Sequence, residues 1–280
     1  MTTPSLLRAT FVHLPGIGPA TEAELWARGV RDWGALTGEV AERTVPASLR
    51  ERVAAGLAAS ERALAARDAA WFARALPERE HWRIYPEFRD RTAFLDIETT
   101  GLSPYAGIVT VVTVHGGGAT RTFVAGEDLE ELPAHLQRFP LLVTFNGSRF
   151  DVPFLAVTFP QLVVPPIHID LRFLLYRIGL AGGLKRIEAT VGLGDRTGVE
   201  GVDGLQAVRL WQEHRRGTPG ALERLVRYNR ADTTNLVPLL DLAVAELAGR
   251  FLGRAPPGGR PESRAPAFPG PVPAVSSPRR

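Results

Sequence analysis

The chain has 280 residues and a mass of 30.4 kDa; 45% of the residues are apolar and 22% charged, which supports a sizeable core and excludes wholesale disorder. It has no cysteine, so disulfide frameworks, thiolate zinc sites and thiol catalysis are excluded. The net charge is +3, but residues 254–280 carry five Arg against one Glu, so the body of the chain is close to neutral.

Residues 1–70 read as a small helical region. The segment from 20 to 28 and the Ala-rich stretch from Ser48 to Ala69 are rich in strong helix formers. The start, MTTPSLLRATFV, lacks the basic and apolar blocks of a secretory signal. Residues 14–30, LPGIGPATEAELWARGV, look like a helix-hairpin-helix. In that reading a tight glycine turn frees backbone N–H groups, and Gly16 and Gly18 offer them to a nucleic-acid phosphate without reading sequence. Ile17 packs inward, whereas Glu22 and Glu24 just downstream would repel a phosphate.

Residues 71–90, WFARALPEREHWRIYPEFRD, are aromatic and charged and read as a connector packed against the rest. From residue 91 the periodicity changes. Ala93–Ile97 is a short apolar strand, and Ile108–Val114 (IVTVVTV) is β-branched throughout. Arg121–Val124 pairs back after the triple-glycine turn. Asp128–Phe139 reads as a helix and Leu141–Phe145 as a strand. The segment 152–169 is apolar, but four prolines break it, which argues against a membrane span. Helices follow at Asp170–Ile178, Leu184–Val191, Gly204–Arg215 and Pro219–Arg250, the last with a break. Strands followed by alternating helices predict a mixed α/β sheet over 91–253. Residues 254–280 hold 8 of the 23 prolines and read as a disordered Pro/Arg-rich tail, a weak basic tether to nucleic acid at most. A soluble cytoplasmic protein is expected.

Three acidic pieces stand out. Asp96 and Glu98 in AFLDIETTGL are two apart on a strand, so they share a face. Two like charges on an apolar strand are costly unless a cation neutralises them, and hard oxygen ligands suit Mg²⁺ or Mn²⁺. Asp151 opens a helix after the strand–turn segment LVTFNGSRF. Tyr228 and Asp232 in LVRYNRADTTNL are four apart and project from one helical face. Each piece alone is an ordinary surface feature; their order carries the signal.

Together they resemble the three exonuclease motifs of the DnaQ-like 3′–5′ exonucleases, the DEDD nucleases of the ribonuclease-H-like superfamily. Asp96 and Glu98 match the first motif, Asp151 with Asn146 five residues before it the second, and Asp232 the third. Tyr228 matches the tyrosine subgroup; the histidine subgroup would want His where Arg227 stands. The 71–90 stretch and GGLKRIEATVGL further resemble a bacterial ribonuclease-H-like branch. The resemblance covers residues about 91–250 and implies a five-stranded mixed sheet flanked by helices. It also implies two divalent cations, Mg²⁺ or Mn²⁺, held by Asp96, Glu98, Asp151 and Asp232, with Asp96 bridging and Tyr228 orienting the attacking water. Thr99, Gly101 and Asn146 would meet the substrate, and Leu102 would wedge against its last base.

Two such ions lie about 3.5–4 Å apart in phosphodiester hydrolysis. They would raise residues 91–253, which carry a net charge of −1, to +3, so that the loaded site attracts phosphate. The implied activity is 3′–5′ exonuclease action on DNA or RNA ends. The alternatives are a non-catalytic nucleic-acid-binding module on a nuclease scaffold, and a structure-selective nuclease dependent on a repair or replication partner.

Overall fold

A computed structural model describes residues 5–253. The Pro/Arg-rich tail expected over 254–280 lies outside the described residues. The N-terminal part holds four α-helices, α1 (Pro19–Ala27), α2 (Gly38–Thr44), α3 (Arg50–Ala65) and α4 (Ala69–Ala75). Two 3₁₀ stretches, Glu78–Arg83 and Tyr85–Arg91, lead into the sheet. They are no loose linker: Trp82, Ile84, Tyr85 and Phe88 are all buried. Gly16 starts the turn into α1 with φ +77°, and a Cβ there would sit 2.2 Å from the Leu49 side chain, so only glycine closes this turn.

The strands are β1 (Thr92–Thr99), β2 (Val109–Gly116), β3 (Ala119–Val124), β4 (Leu141–Thr144) and β5 (Ile167–Asp170). They form one mixed five-stranded sheet in the order β3-β2-β1-β4-β5. The β1–β2 and β2–β3 pairs are antiparallel, while β1–β4 and β4–β5 are parallel. Between β3 and β4 the chain makes a short 3₁₀ turn, Leu129–Glu131, and α5 (Leu132–Leu136), rather than one helix over 128–139. The cause is Pro133, which has no N–H to donate back to the residue 129 carbonyl and is tolerated only in a first helical turn.

The remaining helices are α6 (Asp151–Thr158), α7 (Leu171–Arg177), α8 (Leu184–Val191), α9 (Gly204–Arg215), α10 (Ala221–Thr234) and α11 (Leu236–Leu252). The break between α10 and α11 has the same origin. Pro238 cannot donate to the Thr234 carbonyl and its ring would clash with it. Alternation along β1 divides the core: Ala93, Leu95 and Ile97 pack with Leu132, Leu136, Phe154 and Leu155 on one face. On the other face Phe94, Val143 and Ile167 pack with Leu239, Leu240 and N-terminal residues such as Phe72 and Phe88. No helix among the described residues is long and apolar enough to cross a membrane.

Candidate active site

Asp96 and Glu98 follow Phe94 at the two-residue strand period, so all three face the α10 side of the sheet. The parallel pairing of β1 with β4 ends at Phe94↔Val143, whereas β1 continues to Thr99 against β2. The two acids therefore stand where β4 has already turned away, at the carboxyl end of β1. A register shift between Glu98 and Thr99 bends the strand there, as bulges beside functional sites do.

The third element is α10. Ala221, Leu225, Tyr228, Asn229, Asp232 and Thr233 are its buried residues, and from Leu225 they form an i, i+3, i+4, i+7, i+8 set that defines the inward face. That face brings Asp232 to β1. One carboxylate oxygen each of Asp96, Glu98 and Asp232 lies within 4.8 Å of the other two. Asp96 is half-buried and the other two are buried. Asp151 is buried at the N-terminus of α6, outside this tight trio but close enough for its charge to act on Asp96.

Burial and mutual repulsion hold these acids in a protonated-leaning state. Burial raises Asp96 well above its usual range, and the charges of Asp232, Asp151 and Glu98 raise it further. Glu98 is pushed up to about 8, first by burial and then by Asp232. Asp151 is pushed up to about 7 by burial and by Asp170, against backbone N–H groups that pull it down. Asp232 is raised by burial although Arg196 opposes the rise. The Tyr228 hydroxyl is raised beyond its ordinary value by burial and the surrounding acids.

The compensating groups are few. The Asn229 amide donates to Asp96 Oδ2 at 2.8 Å, and its own buried Oδ1 has no hydrogen-bond partner. Arg196 donates to Asp232 Oδ1 and forks onto Glu188 at 2.6 and 2.9 Å. Asn235 pins this loop by donating to Glu188 Oε1 at 3.1 Å and accepting from the Asp195 N–H at 3.0 Å. The Lys185 ammonium sits 4.6 Å from the Tyr228 ring centroid. Four acids facing two cations leave an uncompensated negative charge on hard oxygen donors, which fits divalent ions of the Mg²⁺ or Mn²⁺ type.

The turn that delivers Asp151 is held by Asp170. Its carboxylate accepts from the Asn146 N–H at 2.8 Å, the Ser148 N–H at 3.1 Å and the Ser148 hydroxyl at 2.5 Å. It also caps α7 through the Arg172 N–H. Asn146, at φ +64°, accepts from Arg172 Nη1 at its Oδ1 at 2.7 Å. Thr99, Gly101 and Leu102 lie on the hairpin beyond Glu98. There Thr99 Oγ1 donates to the Gly101 carbonyl at 2.6 Å, and the Thr100 N–H to the Ile108 carbonyl at 3.0 Å. A Cβ on Gly107 would press 3.1 Å from the Gly101 nitrogen, so the hairpin is closely stitched. It displays Leu102 and Tyr105 to solvent at 90% and 88% exposure.

Residues 93–244, just over half of the chain, match the family model of the RNase_H superfamily. The chain belongs to the RNase H superfamily. No curated protein matches it. The RNase H-like chain aligns with a family B DNA polymerase from the hyperthermophilic archaeon Pyrobaculum calidifontis at 17% identity and TM-score 0.43. That alignment takes in 55% of this chain and 27% of the polymerase, so the chain spans about a quarter of the polymerase's length. It aligns with a nuclease in its apo form at 20% identity and TM-score 0.40, over 59% of this chain and 77% of that one. It also aligns with Brucella melitensis NrnC with bound Mg²⁺ at 20% identity and TM-score 0.31, over 58% and 88%.

Gly16 and Gly18 take no part in the acid cluster of this RNase H-like unit. Gly18 instead borders a cavity of about 260 Å³ beside α1, shared with Glu22, Trp26, Arg79 and Arg83. Glu22 is not the phosphate-repelling surface acid that its position suggests. It is buried, accepts the Phe11 N–H at 2.6 Å and meets Arg83 Nη1 at 2.8 Å. Sequence reasoning also missed Asn229 and Arg196. Asn229 was findable, because it sits three residues before Asp232 on the same helical face. Arg196 lies in a non-periodic loop and gave no signal.

Proposed function

We propose that the protein is a metal-dependent 3′–5′ exonuclease acting on DNA or RNA ends. The observation that carries this reading is the meeting of Asp96, Glu98 and Asp232 oxygens within 4.8 Å, from segments more than a hundred residues apart. Two divalent cations held by these acids and Asp151 would supply an activated water and charge stabilisation at the leaving oxygen. Asp96, central in the cluster, would face both ions. Glu98 and Asp232 would complete one position and Asp151 the other.

Tyr228 acts as a donor that orients the water. Its raised pKa keeps it protonated at neutral pH, which disqualifies it as the general base. Lys185 and Arg196 place positive charge at the rim, where a substrate phosphate gains from it. Thr99 and Gly101 would meet the 3′-terminal nucleotide, with Asn146 across the cleft and Leu102 against the last base. Gly16 and Gly18 would grip backbone phosphate further along.

The purified protein should shorten a 5′-labelled single strand from a free 3′ end in Mg²⁺ or Mn²⁺. A chelator should stop it, and a blocked 3′ end should resist it. Asp96→Ala should lower the rate by roughly three orders of magnitude while the circular dichroism spectrum is kept. A folded Asp96→Ala protein with undiminished activity would sink the assignment.

A further inference from the structure

The carboxyl edge of the sheet carries a second concavity that hydrolysis at the acid cluster does not use. It is a cleft of about 420 Å³ lined by Ser148, Pro166, Asp170 and Phe173 together with Arg79 and Arg177. The topology places it. The strands β1, β4 and β5 run parallel, so their carboxyl ends share one edge. In the order β1-β4-β5 the last strand stands two spacings, about 10 Å, from the first.

Phe173 is 47% exposed on α7, and Tyr176, one turn on, is 71% exposed. The Arg149 guanidinium lies 5.4 Å from the Phe173 ring centroid, and Arg149 is two residues from Asp151. Arg79 and Arg177 line the cleft and share Glu80 at 3.8 and 3.4 Å, Arg172 donates to Asn146 Oδ1 at its edge, and Asp170 is engaged by the Asn146–Ser148 turn, which leaves Arg149 at Phe173 as the cation without a carboxylate partner among the described ion pairs. A half-exposed aromatic ring with a guanidinium over one part of it stacks unpaired bases and attracts their phosphates.

We propose that this cleft binds the upstream part of a single-stranded nucleic acid whose end lies at the acid cluster. The inference rests on the nuclease reading and narrows its substrate to unpaired strands. At the stacked rise of about 3.4 Å per nucleotide, the span from β1 to β5 takes about three nucleotides. A dinucleotide therefore ends short of Phe173, and a strand of four or more reaches it. A paired base offers no free face to the ring.

The test compares a dinucleotide with a ten-nucleotide single strand. In Phe173→Ala the decamer KM should rise about tenfold, the loss of one stacked base, with kcat kept and dinucleotide kcat/KM unchanged. Phe173→Trp should restore the decamer KM. In Arg149→Ala the salt dependence of decamer binding should fall by about one counterion. Equal losses on both substrates, or an unchanged decamer in both alanine variants, would overturn the cleft. Fluorescence anisotropy of a labelled decamer in chelator reads binding without turnover. If the wild-type protein cleaves nothing, the nuclease reading falls, and the anisotropy difference between wild type and Phe173→Ala still decides the cleft.

Discussion

The acids of the cluster are held against their own preference, and that strain is measurable. Glu98 at about 8 and Asp151 at about 7 keep protons that an unfolded chain releases at about pH 4. Between those limits the unfolded state binds fewer protons, so stability falls as pH rises. Lys185, Arg196 and Asn229 face the same acids. His13 contributes the opposite slope, but burial holds it down at about 4, so its effect is confined to pH below about 6.5. In chelator, the melting temperature should therefore drop from pH 6.5 to 8.5, and Mn²⁺ should restore it at the upper end. Asp96→Asn leaves one fewer buried acid to ionise as the pH rises. It should raise the metal-free melting temperature by roughly 3–8 °C and flatten the slope. A variant that melts like wild type at every pH would mean the acids do not interact. At this scale the pairing of Asp96 with Glu98 on one strand face and of Tyr228 with Asp232 on one helical face was legible, because i, i+2 strand and i, i+4 helix spacings are geometric. The Arg196–Asp232 contact was not, since it depends on how an irregular loop folds back.

At the scale of elements, β1 to β4 were legible from apolar and β-branched runs, whereas β5, only four residues long after a proline-rich stretch, was not read as a strand of its own; a break within 219–250 was read without its cause, Pro238. The shortened helix before β4 was not read, although Pro133 marks it. The buried ion pair between α1 and the first 3₁₀ stretch was also missed. Leu25 and Trp26 are buried on α1, and Glu22 stands three and four residues before them, on the same face. Arg83 meets it and bonds Glu80 at 2.7 Å, with its guanidinium against Trp26, Trp82 and Phe251 at 5.1–5.6 Å from the ring centroids. The Glu22 and Arg83 side chains are only 1% and 4% exposed. Removing one partner of such a pair strands a buried charge and costs about 3–5 kcal/mol, whereas replacing both with neutral groups of similar volume costs far less. Arg83 is shared by two buried carboxylates, so Arg83→Met leaves Glu22 and Glu80 without their common cation and should lower the urea midpoint sharply. The triple variant Glu22→Gln/Glu80→Gln/Arg83→Met should recover most of the loss. A triple variant as unstable as the single one would show that the packing of the guanidinium against Trp26, Trp82 and Phe251, not the ion pairing, secures α1.

For the whole molecule, the shift from helical to strand periodicity near residue 91 marks a change of architecture. Sequence does not show which apolar faces meet across it. One continuous cluster joins Leu7, Phe11, Trp33, Phe72 and Phe88 to Val143, Ile167, Ile169, Leu239 and Leu240. Polar contacts cross the same boundary: the Tyr85 hydroxyl donates to Asp241 at 2.9 Å, Arg89 pairs with Asp241 at 2.6 Å, and Arg177 donates to the Arg79 carbonyl at 2.6 Å. The N-terminal region thus covers the sheet face that carries Phe94, and through α11 it supports α10, which holds Asp232. Without residues 1–90, Ile167, Leu239 and their neighbours would lie open, and an apolar face of that size drives aggregation. Residues 91–253 expressed alone should therefore bind a hydrophobic dye, lose a cooperative melt and fail to bind Mn²⁺, because α10 has lost its backing. Co-expression with residues 1–90 as a separate chain should restore all three, since the contacts are noncovalent. A truncated chain that melts cooperatively and binds Mn²⁺ like the intact protein would show that the RNase H-like unit is self-sufficient.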